Sequence, residues 1–338
     1  MPECGSQVPI CDVPIRFDTY KGCSFDCKYC FVRRNADISK IEKGEGAEAL
    51  LNFIKGKRSY KTNWCDWDIP LHWGGVADPF QPAEKIIKNS LNCLKVLEQT
   101  QYPFLVSTKS TLYAESPYIE LLSASNGILQ VSAVCSKYDV LEKGAPTWKE
   151  RIEAIRKTSP RLKRVNIRIQ PYMTEVKADV LEALKVYADI GVYGVTVEGM
   201  KFIKKKEGLE RKGADFVYPV EKLRLHFEEI KDKAHSLGLK FYSGENRLRI
   251  MGDNLCCCGI EGLEGFRGNT ANLNHFLYDK DNYIFTDKMK ENKTGEFAVS
   301  LTQNTDTSNV IKNMSYQEVM ESLSRDKKKL SELVMKKF

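Results

Sequence analysis

The sequence lacks any hydrophobic run long enough to cross a membrane. No segment approaches the ~20 consecutive apolar residues that a transmembrane helix requires. Its first residues, MPECGSQVPICDVPIRFD, also lack the basic start and apolar centre of a secretory signal peptide. We therefore expect a cytoplasmic protein that has no membrane partner.

The cysteines do not follow the pattern of a disulfide-bonded protein. There are 11 of them among 338 residues, an odd number, in a chain without an export signal. In a reducing compartment, clustered cysteines more often bind metal or carry out chemistry than form disulfides. Two clusters stand out, at 23–30 and 256–258.

Neither sign of charge dominates the composition. The 52 Lys and Arg residues against 45 Asp and Glu give a formal net charge of +7. A mildly basic balance permits a polyanionic partner such as nucleic acid without requiring one. With 42% hydrophobic and 29% charged residues, the chain has the composition of an ordinary globular protein.

Short β-branched segments alternate with amphipathic segments over the first 245 residues. Strands are predicted at 13–20, 69–75, 103–109, 128–134, 164–171, 193–200 and 239–245. Helical spacing of apolar residues is found at 82–100, 147–158, 177–191 and 220–238. This alternation predicts β/α units around a parallel sheet with right-handed crossovers. Six or seven units are too few for a closed eight-fold barrel, so we predict an α/β fold, a partial (β/α)6-type TIM-like barrel.

The pattern changes after residue 245. The segment that follows is rich in Gly and Asn and contains NLCCCGIEG, a polar stretch (279–308) and a final helix candidate from 315. We therefore predict a barrel at 1–245 and a loop-rich, cysteine-containing C-terminal extension at 246–338. Ligands of β/α folds bind at the carboxyl ends of the strands, and the first cysteine cluster directly follows the first predicted strand.

The first cluster has the spacing C-x3-C-x2-C, with Cys23, Cys27 and Cys30 in GCSFDCKYCF. Structural zinc takes four ligands, so zinc here needs a fourth ligand from a distant part of the chain. An iron–sulfur cube is also bound by thiolates, and three protein ligands leave one iron open for a small molecule. Both interpretations remain open from the residues alone.

C-x3-C-x2-C with Tyr29 just before the last cysteine resembles the signature of radical S-adenosylmethionine (radical SAM) enzymes. The resemblance implies that Cys23, Cys27 and Cys30 hold a 4Fe–4S cluster whose open iron is chelated by S-adenosylmethionine. It also implies cleavage of S-adenosylmethionine to a 5′-deoxyadenosyl radical that abstracts hydrogen from a substrate. An electron donor such as flavodoxin or ferredoxin is implied as a partner. The cofactor does the chemistry, and the protein positions and shields it.

Further motifs resemble the spore photoproduct lyase-like subgroup, often labelled "DNA repair photolyase": HWGGVADPFQPAE, VSTKS, VSAV and an EKGAP turn. The resemblance implies that the backbone at Gly74 and Gly75 approaches the methionyl amine, and that Lys109 and Ser132 bind S-adenosylmethionine. Val76 stands where the motif often has an acid. Authentic lyases carry a hydrogen-donating cysteine beside this motif, where this chain has glycines, which puts thymine-dimer repair in doubt.

Arg168 and Glu198 lie on predicted strands whose polar residues alternate toward one face. With Tyr29 they complete the predicted cofactor-binding set. For each strand residue the alternative is a buried, paired structural role. Asp78, after the Gly-Gly pair, is more simply interpreted as a cap of the following turn.

The second cluster places Cys256, Cys257 and Cys258 in a row. In extended backbone, Cys256 and Cys258 share a face, and Cys257 joins them only if the chain turns. One hypothesis is a second iron–sulfur cluster or a zinc ion, with a ligand from Cys4, Cys11 or Cys65. A second is a catalytic thiol that gives a hydrogen atom or an electron to the substrate radical. The third is buried thiols without a chemical role.

Two substrate classes remain open within the radical SAM hypothesis. The first is a nucleic-acid base or nucleotide, in a modification or lyase-type reaction. The alternative is a peptide, protein or small metabolite, modified with the help of a second cluster or a cysteine in the C-terminal region. A zinc-stabilised binding module is the non-enzymatic hypothesis.

Overall fold

The computed structural model describes residues 1–4, 8–34, 36–59, 62–63, 69–279, 282–293, 313–326, 328 and 331–332. These residues form twelve strands, which are in chain order β1 (Glu3–Cys4), β2 (Ile15–Phe17), β3 (Tyr20–Lys21), β4 (Glu42–Lys43), β5 (Leu71–Trp73), β6 (Phe104–Thr108), β7 (Gly127–Ser132), β8 (Val165–Tyr172), β9 (Gly194–Gly199), β10 (Glu210–Lys212), β11 (Asp215–Val217) and β12 (Lys240–Ser243).

Eight of these strands form one sheet in the order β1-β2-β5-β6-β7-β8-β9-β12. From β2 to β12 every neighbouring pair is parallel, and β1 adds an antiparallel edge beside β2. Strands β3 and β4 pair with each other, as do β10 and β11. All seven predicted strand segments contain a strand of this sheet.

The helices of the described residues are α1 (Ala47–Ile54), α2 (Glu84–Ile87), α3 (Asn89–Thr100), α4 (Tyr118–Ala124), α5 (Trp148–Thr158), α6 (Lys177–Asp189), α7 (Val220–Ser236), α8 (Leu273–Tyr278), α9 (Asp287–Glu291) and α10 (Tyr316–Ser324). Helices α1 to α7 lie in the crossovers between successive parallel strands. The predicted partial (β/α) barrel is therefore confirmed. Of the predicted terminal helix, α10 is the described part, and most of the segment after 326 lies outside the described residues.

The two faces of the sheet differ in chemistry because successive residues of a strand point to opposite sides. The face toward the helices is apolar, with Phe17, Trp73 and Ile167 completely buried. The opposite face is polar and lines a cavity through Arg16, His72, Ser107, Gln130, Ser132, Arg168, Gln170, Thr196 and Glu198. Parallel strands covered on both faces are usually apolar throughout, so this polar face indicates a ligand-sized interior.

The C-terminal extension contributes to the interior of the barrel. Its Cys256, Cys258, Ile260 and Phe266 pack with Val13, Leu105 and Ile128 in one buried cluster. Next to this cluster, polar side chains of the barrel strands donate hydrogen bonds to backbone carbonyl oxygens of the extension. The Cys258 carbonyl accepts from Gln130 Nε2 and Asn166 Nδ2, both at 3.1 Å, and the Cys257 carbonyl accepts from Thr196 Oγ1 at 2.7 Å. The boundary at residue 245 stays a prediction.

No helix within the described ranges is long and apolar enough to cross a membrane.

Candidate active site

A cavity of about 690 Å³ opens at the carboxyl ends of the parallel strands. All predicted site residues except Cys256 line it: Cys23, Cys27, Tyr29, Cys30, Gly74, Gly75, Lys109, Ser132, Arg168, Glu198, Cys257 and Cys258. This is where ligands of β/α folds bind. The structure thus brings the predicted residues together, while the group that each one binds stays a prediction.

The cysteine loop is held on one side by a buried glutamine. Gln81 accepts a hydrogen bond from Ser24 N at 3.0 Å through Oε1 and donates to the carbonyl oxygen of Gly22 at 3.1 Å through Nε2. Cys23 N donates to the carbonyl oxygen of Ile38 at 2.8 Å. Because backbone bonds at both sides of Cys23 are satisfied, the start of the loop is fixed before any metal binds.

The EKGAP turn (142–146) holds the other side of the cysteine loop. Gly144 N donates to the carbonyl oxygen of Phe25 at 3.2 Å, and Lys28 N donates to that of Leu141 at 2.9 Å. A side chain at Gly144 would collide with the backbone oxygen of Ser24. The glycine of this turn is therefore required by close contact between two loops.

The three thiols of the loop are partly or fully buried. Burial raises the pKa of Cys27 to about 12 and also raises the pKa of Cys23. Metal loading needs thiolates, so it releases protons here. Among the described residues, no three His, Cys, Asp or Glu side chains are close enough to hold a single metal ion. In a 4Fe–4S cube each cysteine binds a different iron, so three thiols facing one cavity fit a cluster with one iron open.

Lys109 lies beside the cysteine loop in a small charged network. Its Nζ is 3.9 Å from Oε1 of Glu142 and 5.6 Å from the centre of the Tyr29 ring. Glu142 accepts hydrogen bonds from the Tyr29 hydroxyl and from Arg151 Nη2, and Arg151 Nη1 donates to the carbonyl oxygen of Ser132 at 2.5 Å. Burial lowers the pKa of Lys109. One buried carboxylate therefore fixes three of the predicted cofactor-binding residues in relation to one another.

The Gly-Gly pair forms the turn after β5. Gly74 has φ of +83°, a conformation that favours glycine, and a side chain there would collide with the backbone oxygen of Ser107. A Cβ added at Gly75 would meet Arg16 Cδ at 3.8 Å and no nearer atom. Gly74 is thus required by the fold, whereas Gly75 leaves its backbone open to the cavity.

Asp78 agrees with its interpretation as a cap. Its Oδ1 accepts from Phe80 N at 2.9 Å and from Thr108 Oγ1 at 2.8 Å, and its Oδ2 accepts from Lys109 N at 2.6 Å. The carboxylate therefore joins the turn after β5 to the end of β6. It fixes the backbone of Lys109, and although Asp78 lines the cavity, both of its carboxylate oxygens are engaged by these bonds.

Arg168 and Glu198 reach the cavity and also have protein partners. Arg168 Nη1 donates to Ser107 Oγ at 3.0 Å and its Nε donates to Gln170 Oε1 at 3.1 Å. Glu198 accepts from Gln170 and forms an ion pair with Lys201 at 2.9 Å. The paired structural role and a ligand-binding role are compatible for both residues.

The CCC thiols contact one another, Cys258 with both Cys256 and Cys257, but only two of the three reach the cavity. Cys257 and Cys258 line the cavity, and their Sγ atoms are 3.9 Å apart. Cys256 is 3% exposed and lies in the buried cluster beneath. The Cys258 thiol and burial raise the pKa of Cys257 well above its usual value. A second metal site stays a prediction, and its candidate ligand Cys65 lies outside the described residues.

Sequence analysis missed four residues that shape the site: Arg16, His72, Gln81 and Glu142. Arg16 and His72 are the polar members of short apolar strands, which is a readable signal for a cavity-facing position. Glu142 was noticed only within the EKGAP turn, and nothing in its spacing indicates Tyr29 or Arg151 as a partner. Gln81 likewise contacts residues 57 to 59 positions away.

Several solved structures are similar in fold to this chain. The chain is similar to spore photoproduct lyase complexed with dinucleoside spore photoproduct, with a TM-score of 0.54 and 14% identity, covering 71% of this chain and 79% of that chain. A mutant of that enzyme with bound AdoMet and dinucleoside spore photoproduct matches at a TM-score of 0.53 and 13% identity, covering 68% and 76%. Streptococcus suis SuiB bound to S-adenosylmethionine gives 0.49 and 13%, covering 83% and 56%.

At 14% identity this similarity shows the fold alone: the chain shares the partial-barrel fold of spore photoproduct lyase. No family model matches the sequence, and no curated protein sequence matches it.

Glu142→Ala is expected to destabilise the protein, because it removes the buried carboxylate that pairs with Arg151 and leaves only Asp139, at 3.7 Å, as a charged partner. The side chains of Glu142 and Arg151 are only 2% and 1% exposed, so water cannot replace the lost contact. The free energy of unfolding should therefore fall by about 3–5 kcal/mol. Urea unfolding measures the change. The matched control is Glu115→Ala, which removes an exposed pair with Lys85 and should cost less than about 0.5 kcal/mol. Equal losses in both variants would contradict the structural role of Glu142.

Proposed function

We propose that the chain is a radical SAM enzyme that holds a 4Fe–4S cluster on Cys23, Cys27 and Cys30. The observation that carries the proposal is that these thiols face the same cavity as Gly75 and Lys109, at the carboxyl ends of the strands. The similar fold of a protein solved with AdoMet supports it. The cysteine loop is braced on both sides by protein contacts, which suits a cluster site that must tolerate an open iron.

A cluster held by Cys23, Cys27 and Cys30 would supply one-electron reduction of S-adenosylmethionine, the chemistry that starts radical reactions in this class. The protein residues bind and orient. Lys109 offers a positive charge to the methionyl carboxylate. Because Gly75 has no side chain, its backbone leaves room for the methionyl ammonium group to approach. The Glu142 network holds Tyr29 and the Ser132 strand end in fixed positions around the ligand.

The substrate we propose is a nucleic-acid base or nucleotide. A basic segment leaves the cavity wall at Met200 and Lys201, and Lys204, Lys205 and Lys206 on it are exposed. Phe31, next to Cys30, also lines the cavity and is 59% exposed. Exposed lysines and an exposed aromatic ring are the contacts that bind phosphates and stack on bases. A dinucleoside is the ligand of the similar solved structure.

The cavity-facing thiols support a second chemical role. Cys257 and Cys258 line the same cavity as the cluster cysteines, whereas Cys256 does not. An S–H bond is weak, so a thiol beside the substrate can return a hydrogen atom to a product radical. This role suits a nucleotide substrate and also the alternative, a peptide, protein or small metabolite.

Anaerobic reconstitution tests the cluster. Wild-type protein is expected to bind about four iron atoms per chain, and a Cys23/Cys27/Cys30→Ala variant none. With S-adenosylmethionine and dithionite, only the wild type should form 5′-deoxyadenosine, while circular dichroism should show the same fold for both. The matched control, Cys256/Cys257/Cys258→Ser, changes the second group of cysteines and leaves Cys23, Cys27 and Cys30 intact, so it shows which group binds the iron.

About four iron atoms remaining in the first variant would indicate a second cluster, with residues 256–258 as its ligands. Stoichiometric zinc and no iron in the wild type would contradict the radical SAM proposal.

Gly75→Ala is expected to weaken S-adenosylmethionine binding by about tenfold, or about 1.4 kcal/mol, because the new methyl group enters the space beside the backbone. The fold should be kept, since the nearest atom to that methyl group is 3.8 Å away. Equilibrium dialysis measures the affinity. Gly46→Ala is the control, because its methyl group also has room (3.5 Å to Asn89 Oδ1) and lies away from the cavity. Unchanged affinity in Gly75→Ala would remove this glycine from the binding site.

The basic segment is tested with a single-stranded oligonucleotide. Lys204/Lys205/Lys206→Ala should weaken its binding and lower the slope of log K against log salt by up to ~2, since each lost phosphate contact contributes about 0.7. The control is Lys95/Lys149/Lys157→Ala, three exposed lysines on the outer helices α3 and α5. Equal losses in both triple variants, or no binding by the wild type, would favour the peptide or metabolite alternative.

A further inference from the structure

Arg16 has no assigned role and lies in an unusual place. It is the central residue of β2, between the completely buried Ile15 and Phe17, and its side chain lines the cavity. Within the part of the chain that the structure describes, its guanidinium makes neither a hydrogen bond nor an ion pair. A partly buried guanidinium carries five donors, so its free donors are available to a ligand.

A second guanidinium reaches the same wall. Arg16 pairs in register with His72 on β5. Ser107 Oγ on β6 is 3.0 Å from His72 Nε2 and 3.0 Å from Arg168 Nη1. The other described partner of Arg168 is the amide oxygen of Gln170. Burial and the two arginines lower the pKa of His72 well below its usual value, so the imidazole between them is neutral.

The carboxylates that face this wall are engaged elsewhere. Asp18 accepts from Val76 N at 3.0 Å and Ala77 N at 3.2 Å, both through Oδ1, and burial raises its pKa to about 6 although the nearby charge of Arg16 acts to lower it. Glu198 pairs with Lys201 at 2.9 Å. Asp78 is saturated by the cap described above. Two positive charges therefore share this wall, and no described carboxylate forms an ion pair with either one.

We propose that Arg16 and Arg168, beside His72, form an oxyanion subsite that binds a phosphate or carboxylate group of the substrate. The inference rests on the proposed function and deepens it: with Lys109 at the methionyl carboxylate, Arg168, predicted above to bind the cofactor, is reassigned together with Arg16 to the substrate. Arginine suits this task, since its planar fork matches the oxygens of phosphate and carboxylate. A nucleotide supplies the phosphate, and a metabolite or peptide supplies the carboxylate.

The test is calorimetric titration of the purified protein with inorganic phosphate and with acetate, without S-adenosylmethionine. The wild type is expected to bind at least one of them. Arg16→Gln should weaken that binding tenfold or more, and Arg16→Lys less, because it keeps the charge and loses the fork. Arg156→Gln, an exposed arginine on α5, is the matched control and should bind like the wild type. Tighter binding of phosphate identifies a phosphorylated substrate, and tighter binding of acetate identifies a carboxylate.

Three outcomes would overturn the proposal. They are no anion binding by the wild type, equal anion binding by the wild type and Arg16→Gln, and a loss of S-adenosylmethionine affinity in Arg16→Gln as large as its loss of anion affinity. The last would assign the subsite to the cofactor. Iron content and 5′-deoxyadenosine formation by the wild type test the proposed function separately, because anion binding is measured without cluster or S-adenosylmethionine. Anion binding with no iron would therefore refute the cluster and keep the subsite.

Discussion

The alternation of side chains along the parallel strands is the constraint on which the rest of this structure depends. One face of each strand must be apolar, because the crossover helices cover it and exclude water. The other face is then free to be polar, and it carries Arg16, His72, Ser107 and Arg168 toward one cavity. A shift by one residue would exchange the faces and bury these groups under the helices. The site and the hydrophobic core are therefore specified by the same pattern.

The cavity is polar, yet its polar groups are mostly fixed by other protein groups. Glu142 holds Tyr29 and Arg151, and Asp78 holds Thr108 and the backbone of Lys109. Such networks reduce the reorganisation that a ligand must cause when it binds. Arg16 differs because no described group of the protein satisfies it. Its guanidinium donors therefore remain available to a ligand in the cavity.

The sequence was sufficient for the strands, the main helices and the cysteine loop, because each has a local signal. Strands such as 164–171 alternate in polarity, α5 begins with a capping box at Thr147, and Cys23, Cys27 and Cys30 have a recognisable spacing. The partners of these residues have no local signal. Tyr29 and Glu142 are 113 positions apart, and their contact depends on how two loops meet in three dimensions. The CCC segment shows the same limit, since the barrel binds its carbonyl oxygens, which every residue type has.

Those carbonyl contacts have a consequence for the order in which the protein is assembled. The braces of the cysteine loop and the Glu142 network come from residues 22 to 151, so they can form while the rest of the chain is still being synthesised. The floor of the cavity needs contacts between Gln130 and Cys258, separated by 128 residues, and between Asn166 and Cys258, separated by 92. Synthesis runs from the N-terminus, so these floor contacts must wait for residue 258, whereas the braces need only residues up to 151. During synthesis the cysteine loop can therefore be braced before the floor of the chamber is in place.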